Sequence, residues 1–331
     1  MARSRSVFVC SECGVQQPRW LGRCPGCGAW ETLVEEPQGP ADAAAGSDLL
    51  SLPRASAAPA GASPVALREV DPTAVPRLAS GIGELDRVLG GGLVPGSVVL
   101  LGGEPGIGKS TLCLQLAAQV ERAGLPVLYV TGEESLEQVR LRAQRLGEIG
   151  GGLLALAETR VEALAAPWRE LQPALVLMDS IQTLRSQRVE SAPGSVSQVR
   201  ECAALLAATA KAHGTALVLV GHVTKEGALA GPRVLEHLVD AVLNFEGDRS
   251  HAFRLLRASK NRFGSTQEVG VFCMEEKGLV EVVQPSELFL GERRPGAPGS
   301  CIVPLMEGSR PLLLEVQALV APAGYGTARR T

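Results

Sequence analysis

Gly103-Glu104-Pro105-Gly106-Ile107-Gly108-Lys109-Ser110, followed by Thr111, is the stretch that decides the fold. It fits the spacing G-x-x-x-x-G-K-[ST]. Before it, residues 97–101 (SVVLL) read as a short buried strand. After it, Leu112, Leu116 and Val120 recur every four residues, as on one face of a helix. In a strand, glycine-rich loop and helix of this kind, backbone N–H groups turn inward around a phosphate. The helix N-terminus adds partial positive charge. Residues Gly103 to Thr111 are therefore the expected nucleotide cradle. Lys109 can reach the β- and γ-phosphates of a nucleoside triphosphate such as ATP, and Ser110 can ligate Mg²⁺. A chance glycine-rich turn is the competing reading, and the flanking strand and helix argue against it.

Composition bounds the rest. The 331 residues leave room for one core of ordinary size and one or two small modules. An apolar content of 45% is normal for a globular chain, and aromatics are scarce at 3%. No apolar run approaches the ~20 residues of a membrane span. The first residues lack the apolar stretch of a signal peptide, so a cytoplasmic protein with no membrane partner is expected. A net charge of −3 does not favour nucleic acid for the chain as a whole, so any DNA-binding surface has to be local.

Four of the eight cysteines fall within eighteen residues, as Cys10-x-x-Cys13 and Cys24-x-x-Cys27. Each pair supplies two thiolates from one tight turn. Four thiolates meet the tetrahedral preference of Zn²⁺ and leave no open position, so the site is expected to be structural. A redox pair is disfavoured because no βαβ pattern surrounds either motif. The module, residues 1–34, is too small to fold without the metal's contribution. Arg19, Trp20, Arg23 and Trp30 sit on the same knuckles. They can contact nucleic acid or another domain, and the two tryptophans can equally fill a tiny core. Residues 35–76, rich in Ala, Pro, Gly and Ser, read as a flexible linker. Cys113, Cys202, Cys273 and Cys301 read as ordinary small apolar residues.

The core is expected over residues 77–284. Ile82, Leu85 and Leu89 are spaced for a short helix stopped by Gly90-Gly91-Gly92. Residues 126–130 (PVLYV) read as a second strand, and Ser135 with Gln138 opens the next helix as a capping box. Glu133 and Glu134 then lie at the carboxyl end of a strand beside the glycine-rich loop, where an open α/β sheet binds ligands. Glu133 can orient and deprotonate a water attacking the γ-phosphate. Glu134 reads as a solvated acid of the first helical turn. Residues 175–179 (LVLMD) read as a buried parallel strand that delivers Asp179 to the Mg²⁺ side of the nucleotide. Residues 185–195 form a polar loop, followed by a helix opened by Ser195 and Gln198 and closed by Gly214. A strand at 216–220 ends at His222, a candidate sensor of the γ-phosphate. Residues 224–233 form a second loop. Strands near 241–245, 253–258 and 268–272 complete the sheet. Between the last two, Lys260-Asn261-Arg262-Phe263-Gly264 is either a solvated turn or a pair of cationic fingers.

The paired CxxC motifs, GEPGIGKS (103–110), GEES (132–135), LVLMDSIQ (175–182), GHVTKEG (221–227) and above all KNRFG (260–264) resemble the bacterial RadA (Sms) family of DNA repair proteins, RecA-like ATPases. The resemblance spans essentially the whole chain outside the linker. It implies a RecA-like core, a mostly parallel sheet flanked by helices, that assembles as a homo-oligomer, a hexameric ring around DNA with ATP between subunits. It implies recombinational repair on single-stranded and branched DNA, with branch migration alongside the recombinase RecA. It also implies that Glu133 is the water-activating acid and that Lys260 and Arg262 reach the neighbouring subunit's ATP. By the same resemblance the loops at 185–195 and 224–233 face DNA, with Arg185, Arg188, Lys225 and Arg233 as phosphate contacts. Residues 285–331 look like the start of the family's Lon-protease-like domain and stop at Thr331, either a longer chain cut short or a naturally short one. Two other classes fit the core: a clock-type regulatory autokinase, and a scaffold whose assembly is gated by nucleotide. The zinc module and KNRFG argue against the first.

Overall fold

The computed structural model describes residues 6–37, 49, 66, 76–147, 152–221, 233–247, 253–290 and 298–318. At the N-terminus, β1 (Ser6–Cys10), β2 (Gln16–Gln17) and β3 (Leu33–Pro37) form an antiparallel ribbon ordered β2-β1-β3. It runs three residues past the expected boundary. Most of the linker lies outside the described residues. Within it, Leu49 is fully buried, and its N–H donates to Thr209 Oγ1 at 2.9 Å, so at this point the chain is docked.

The core opens with α1 (Gly83–Leu89), closed by Gly90 in the left-handed region at φ 82°. There follow β4 (Val98–Gly103), α2 (Lys109–Arg122), β5 (Val127–Thr131) and α3 (Leu136–Arg145). The capping box expected at Ser135 is present in both directions. Next come β6 (Leu154–Ala157), α4 (Ala165–Leu171), β7 (Leu175–Asp179), α5 (Val196–His213) and β8 (Ala216–Val220). After α6 (Arg233–Glu236), four strands follow: β9 (Ala241–Glu246), β10 (Phe253–Asn261), β11 (Val269–Glu275) and β12 (Gly278–Glu281).

Among the described residues, these strands make one nine-stranded mixed sheet in the order β12-β11-β10-β9-β4-β8-β7-β5-β6. From β9 to β6 all pairings are parallel, and from β9 to β12 all are antiparallel. Alternation along the strands builds two cores. Val99, Leu101, Tyr129 and Leu177 face one layer with α1 and α2. Val98, Leu100, Val130 and Met178 face the other with Trp168 of α4 and the apolar stripe of α5. Continuous apolar runs are what a strand covered on both faces requires.

The strand carrying Glu133 is not the neighbour of β4, because β8 and β7 lie between them. Helical crossovers carry the chain from β4 past two empty places that β7 and β8 fill later. Apolar runs look the same in any order, so the sequence pattern is silent on this point. The edge strand β6 was missed because its residues are largely exposed and lack the buried pattern. Residues 285–317 add α7 (Pro285–Leu290) and a hairpin, β13 (Ser300–Glu307) with β14 (Arg310–Gln317). The hairpin's Ile302, Leu305, Met306, Leu313 and Val316 are exposed, in keeping with a piece too short to enclose a core. Its tip is nevertheless seated on the main core. Arg310 pairs with Glu84 at 2.7 Å with both side chains buried, and Arg257 pairs with Glu307 at 2.9 Å.

Candidate functional site

The glycine-rich loop joins β4 to α2 with Gly106 and Gly108 at φ 79° and 118°, a backbone region that glycine enters freely. A Cβ on Gly108 would lie 2.7 Å from the flexible tip of Met274 and 3.3 Å from Phe245 Cε1, so the backbone angle more than space calls for glycine there. Lys109, only 4% exposed, donates from Nζ to the carbonyls of Gly103 (2.7 Å) and Glu104 (2.9 Å). Burial pushes its ammonium below the usual lysine range, against the opposing pull of the Asp179 and Glu133 charges. Lys109 thus sits in the field of both acids although they arrive on different strands.

Asp179 ends β7 and is nearly buried. Its Oδ2 accepts a hydrogen bond from Tyr129 OH at 2.8 Å, which fixes the carboxylate and leaves Oδ1 for a cation. Burial, then the Asp179 charge, holds the Tyr129 phenol well above its ordinary range, so it stays protonated as the donor. Glu133, just after β5, accepts a short hydrogen bond from Ser180 Oγ. Ser180 itself is held by Thr183 Oγ1, which donates to its carbonyl at 2.8 Å. Gly132 N–H donates to Asp179 O at 2.9 Å, joining the ends of β5 and β7. Glu134 is ion-paired with Arg142 of α3, a structural use of that acid.

Gly132 is a packing requirement as well. A Cβ there would fall 1.9 Å from Thr183 Oγ1 and 2.9 Å from Thr183 Cβ. Gly132→Ala is therefore expected to displace Glu133 and lower ATP hydrolysis by about 10- to 100-fold, the order of effect of a misplacement near 1 Å. Phosphate release checks this, and adding Thr183→Gly restores part of the rate if the clash is the cause.

Lys260 and Arg262 lie at the other end of the sheet. Asn261 pairs with Ala241, and Ala241 with Val99 near the start of β4, whereas the phosphate loop begins at Gly103. Four residues of strand, about 13 Å, separate the two levels. Lys260 Nζ donates to the carbonyls of Glu236 and Val239, the latter at 2.7 Å. Burial, then the Arg262 charge, lowers its pKa. Arg262 Nη1 pairs with Asp240 Oδ1 at 3.0 Å, and Asp240 Oδ2 accepts from Val98 N–H at 3.0 Å. A buried acid at the root of the phosphate-loop strand therefore orients the arginine, whose side chain stays 53% exposed. Asn261 Nδ2 donates to Val88 O (3.1 Å), and Arg77 donates to Phe263 O (2.6 Å), which fastens the motif to the end of α1.

Of the expected DNA contacts, Arg185 is exposed and Arg188 pairs with Glu201 at 3.5 Å. The loop carrying them is not loose. Buried Gln198 donates to Val189 O (2.8 Å) and Ser191 O (2.9 Å) and accepts from Ser186 N–H (2.8 Å). His222 and Lys225 lie outside the described residues, and Arg233 begins the backbone of α6. Tyr129, Gly132, Ser180 and Asp240 were missed by sequence reasoning. The one signal available was a lone tyrosine in an otherwise aliphatic strand.

In the ribbon, the four Sγ atoms of Cys10, Cys13, Cys24 and Cys27 lie within 4.8 Å of one another. Cys10–Cys27 is 3.7 Å and Cys13–Cys24 is 3.5 Å. Zn–S bonds of ~2.3 Å in a tetrahedron place sulfurs about 3.8 Å apart, whereas a disulfide needs about 2.05 Å. Glu12 and Gly26 N–H donate to Cys10 and Cys24 Sγ at 3.4 Å each, as thiolates held in tight turns require. The donor set and spacing fit a structural Zn²⁺.

Comparison with known proteins agrees with this geometry. A family model described as an AAA domain matches residues 64–228, and one described as a rubredoxin metal binding domain matches residues 8–35. The chain is 51% identical over 334 residues to the DNA repair protein RadA of Bacillus subtilis, covering all of this chain and 71% of the relative. It is 50% identical to that of Listeria monocytogenes, covering 99% of this chain and 70% of the relative. Among solved structures, the KaiC-like protein PH0186 of Pyrococcus horikoshii superposes with a TM-score of 0.52 at 22% identity. The match covers 63% of this chain and 99% of that one, a likeness of fold alone.

Proposed function

We propose, from the premise that this chain belongs to the RadA family of DNA repair proteins, that it is a DNA-stimulated ATPase whose sites are completed between subunits. The observation that carries the reading is the meeting of Lys109, Asp179 and Glu133 at the carboxyl ends of β4, β7 and β5. In this reading residues 103–111 cradle the phosphates of ATP. Lys109 exchanges the loop carbonyls for β- and γ-phosphate oxygens. Mg²⁺, held by Ser110 and Asp179, would neutralise charge that develops on those oxygens. Glu133, oriented by Ser180, takes the proton of the attacking water.

Lys260 and Arg262 stand too far from their own phosphate loop to serve it, which supports their acting on the ATP of a neighbouring subunit. Repeated around a closed assembly, such as a hexameric ring, the arrangement gives one site per interface. By chain position Arg185 and Arg188 follow β7 and His222 and Lys225 follow β8; we assign Arg185, Arg188, Lys225 and Arg233 to the DNA backbone and His222 to sensing the γ-phosphate. Contacts to the DNA backbone there would be independent of sequence and sensitive to salt. Recombinational repair, with branch migration alongside RecA, is the process we assign to this motor. Residues 1–34, 77–284 and 285–331 are the zinc, motor and C-terminal units of that scheme.

The test is the hydrolysis rate with and without single-stranded DNA, which is expected to rise with DNA. A flat response would leave the scaffold reading. Mixing Glu133→Gln and Arg262→Ala chains is expected to recover hydrolysis, because some interfaces then pair an intact Glu133 with an intact Arg262. No recovery on mixing would remove the shared-site arrangement.

A further inference from the structure

Two large indoles belong to none of this machinery. Trp20 and Trp30 are 54% and 70% exposed, while the ribbon's own core is Cys10, Cys24 and Leu33 with Phe8, Val15 and Leu21 packed against them. Filling a tiny core is therefore not what the tryptophans do. Both rings converge on Gly22. A Cβ built there would lie 3.7 Å from Trp20 Cη2 and 3.9 Å from Trp30 Cζ3, so the residue between the rings is one with no side chain. Arg23 lies over Trp30, its guanidinium carbon 5.8 Å from the ring centroid, and its Nε is fixed by donating to Gly28 O at 2.9 Å. Arg19, beside Trp20, is exposed.

Exposed apolar area of this kind marks an interaction site. The charge pattern narrows the partner. Residues 13–30 contain Arg19 and Arg23 and no Asp or Glu, with Glu12 and the exposed Glu31 at the two edges of that stretch. Two exposed indoles whose edges meet at Gly22, one of them already carrying a guanidinium, suit unpaired bases stacked on the open ring surface and phosphates on the arginines. A duplex hides its base faces and would find no such purchase. We infer that Trp20 and Trp30 form a base-stacking platform for single-stranded DNA, with Arg19 and Arg23 on the adjoining phosphates. This rests on the reading of DNA as the motor's substrate and adds a second contact, carried on the zinc ribbon.

The experiment uses the full zinc-loaded chain, titrated with oligo(dT) while tryptophan emission is followed. The chain has three tryptophans, and the third, Trp168, is buried, so quenching reports on the pair in the ribbon. Oligo(dT) is expected to quench the exposed indoles. Trp20→Leu with Trp30→Leu should weaken binding by about 5- to 150-fold for each base that loses its stack, read in this and the other variants from the anisotropy of dye-labelled oligo(dT). The Phe pair, Trp20→Phe with Trp30→Phe, should retain most of the affinity. It also decides the matter if the Leu pair fails to hold zinc. Arg19→Ala with Arg23→Ala should flatten the log–log salt dependence by about 1.4, two phosphate contacts at ~0.7 each. Basal hydrolysis without DNA should be unchanged in all of them. Oligo(dT) binding with no quench, and undiminished in the Leu pair, would overturn the platform and leave the DNA motor standing. Absence of any binding or stimulation by DNA would remove both.

Discussion

Glu133→Gln is expected to lower ATP hydrolysis by about 10²- to 10⁴-fold, the usual worth of a positioned general base, while ATP affinity changes little. The substitution keeps the shape of the side chain and an oxygen that can still accept from Ser180 Oγ. It removes only the capacity to take a proton. Single-turnover phosphate release gives the rate, and equilibrium nucleotide binding shows that the cradle at 103–111 is intact. Glu134→Gln is the matched control. That acid is tied to Arg142 on α3, so its loss should cost hydrolysis no more than a few-fold. Hydrolysis within about three-fold of the parent in the Glu133 variant would move the general-base role elsewhere.

The second large effect concerns Arg310. It reaches from the hairpin tip into the ATPase core, donating to Glu84 Oε2 at 2.7 Å and to the carbonyls of Val282 and Val283. Glu84 Oε2 also accepts from Val271 N–H at 2.8 Å. Arg310→Ala leaves the buried Glu84 carboxylate with only the half-exposed Arg87, 4.0 Å away, and breaking a buried pair of this kind costs about 3–5 kcal/mol. At about 2–4 °C per kcal/mol for a domain of this size, the melting temperature should fall by about 6–20 °C. The double variant Glu84→Gln with Arg310→Met should recover most of the loss, because two neutral partners leave no stranded charge. A shift under about 2 °C in the single variant would mean that the tip is not seated on α1 in solution.

Much of the candidate site was legible because the chemistry proposed for it needs fixed spacing. Residues 103–111 and the two CxxC pairs carry their geometry in the order of the chain, so they could be assigned without coordinates. Glu133 and Asp179 were legible for a related reason, since each follows an apolar run that has to end at the edge of the sheet. What remained hidden depends on which strands become neighbours. Tyr129 touches Asp179 only because β5 and β7 pair, and Gly132 has to be glycine only because Thr183 crosses it. Asp240 reads as one acid among many until β9 is laid beside β4. The docking of Leu49 was hidden by the composition around it, since the short cluster Leu49, Leu50 and Leu52 in an Ala- and Pro-rich stretch is too brief to show a period.

The separation of Lys260 and Arg262 from the phosphate loop, one at each end of the same sheet, bears on symmetry. If the two halves of a site meet only between chains, the contact joins unlike surfaces. A two-fold dimer meets this only if one patch holds both halves, the loop end of each chain facing the finger end of its partner, whereas halves on separate faces require head-to-tail contact. Head-to-tail association leaves one unmatched donor end and one unmatched acceptor end on every open oligomer, and only closure of the circle removes both. Open assemblies of n chains then hold n − 1 working sites and closed ones hold n. Activity per chain should therefore climb with concentration and level off at closure.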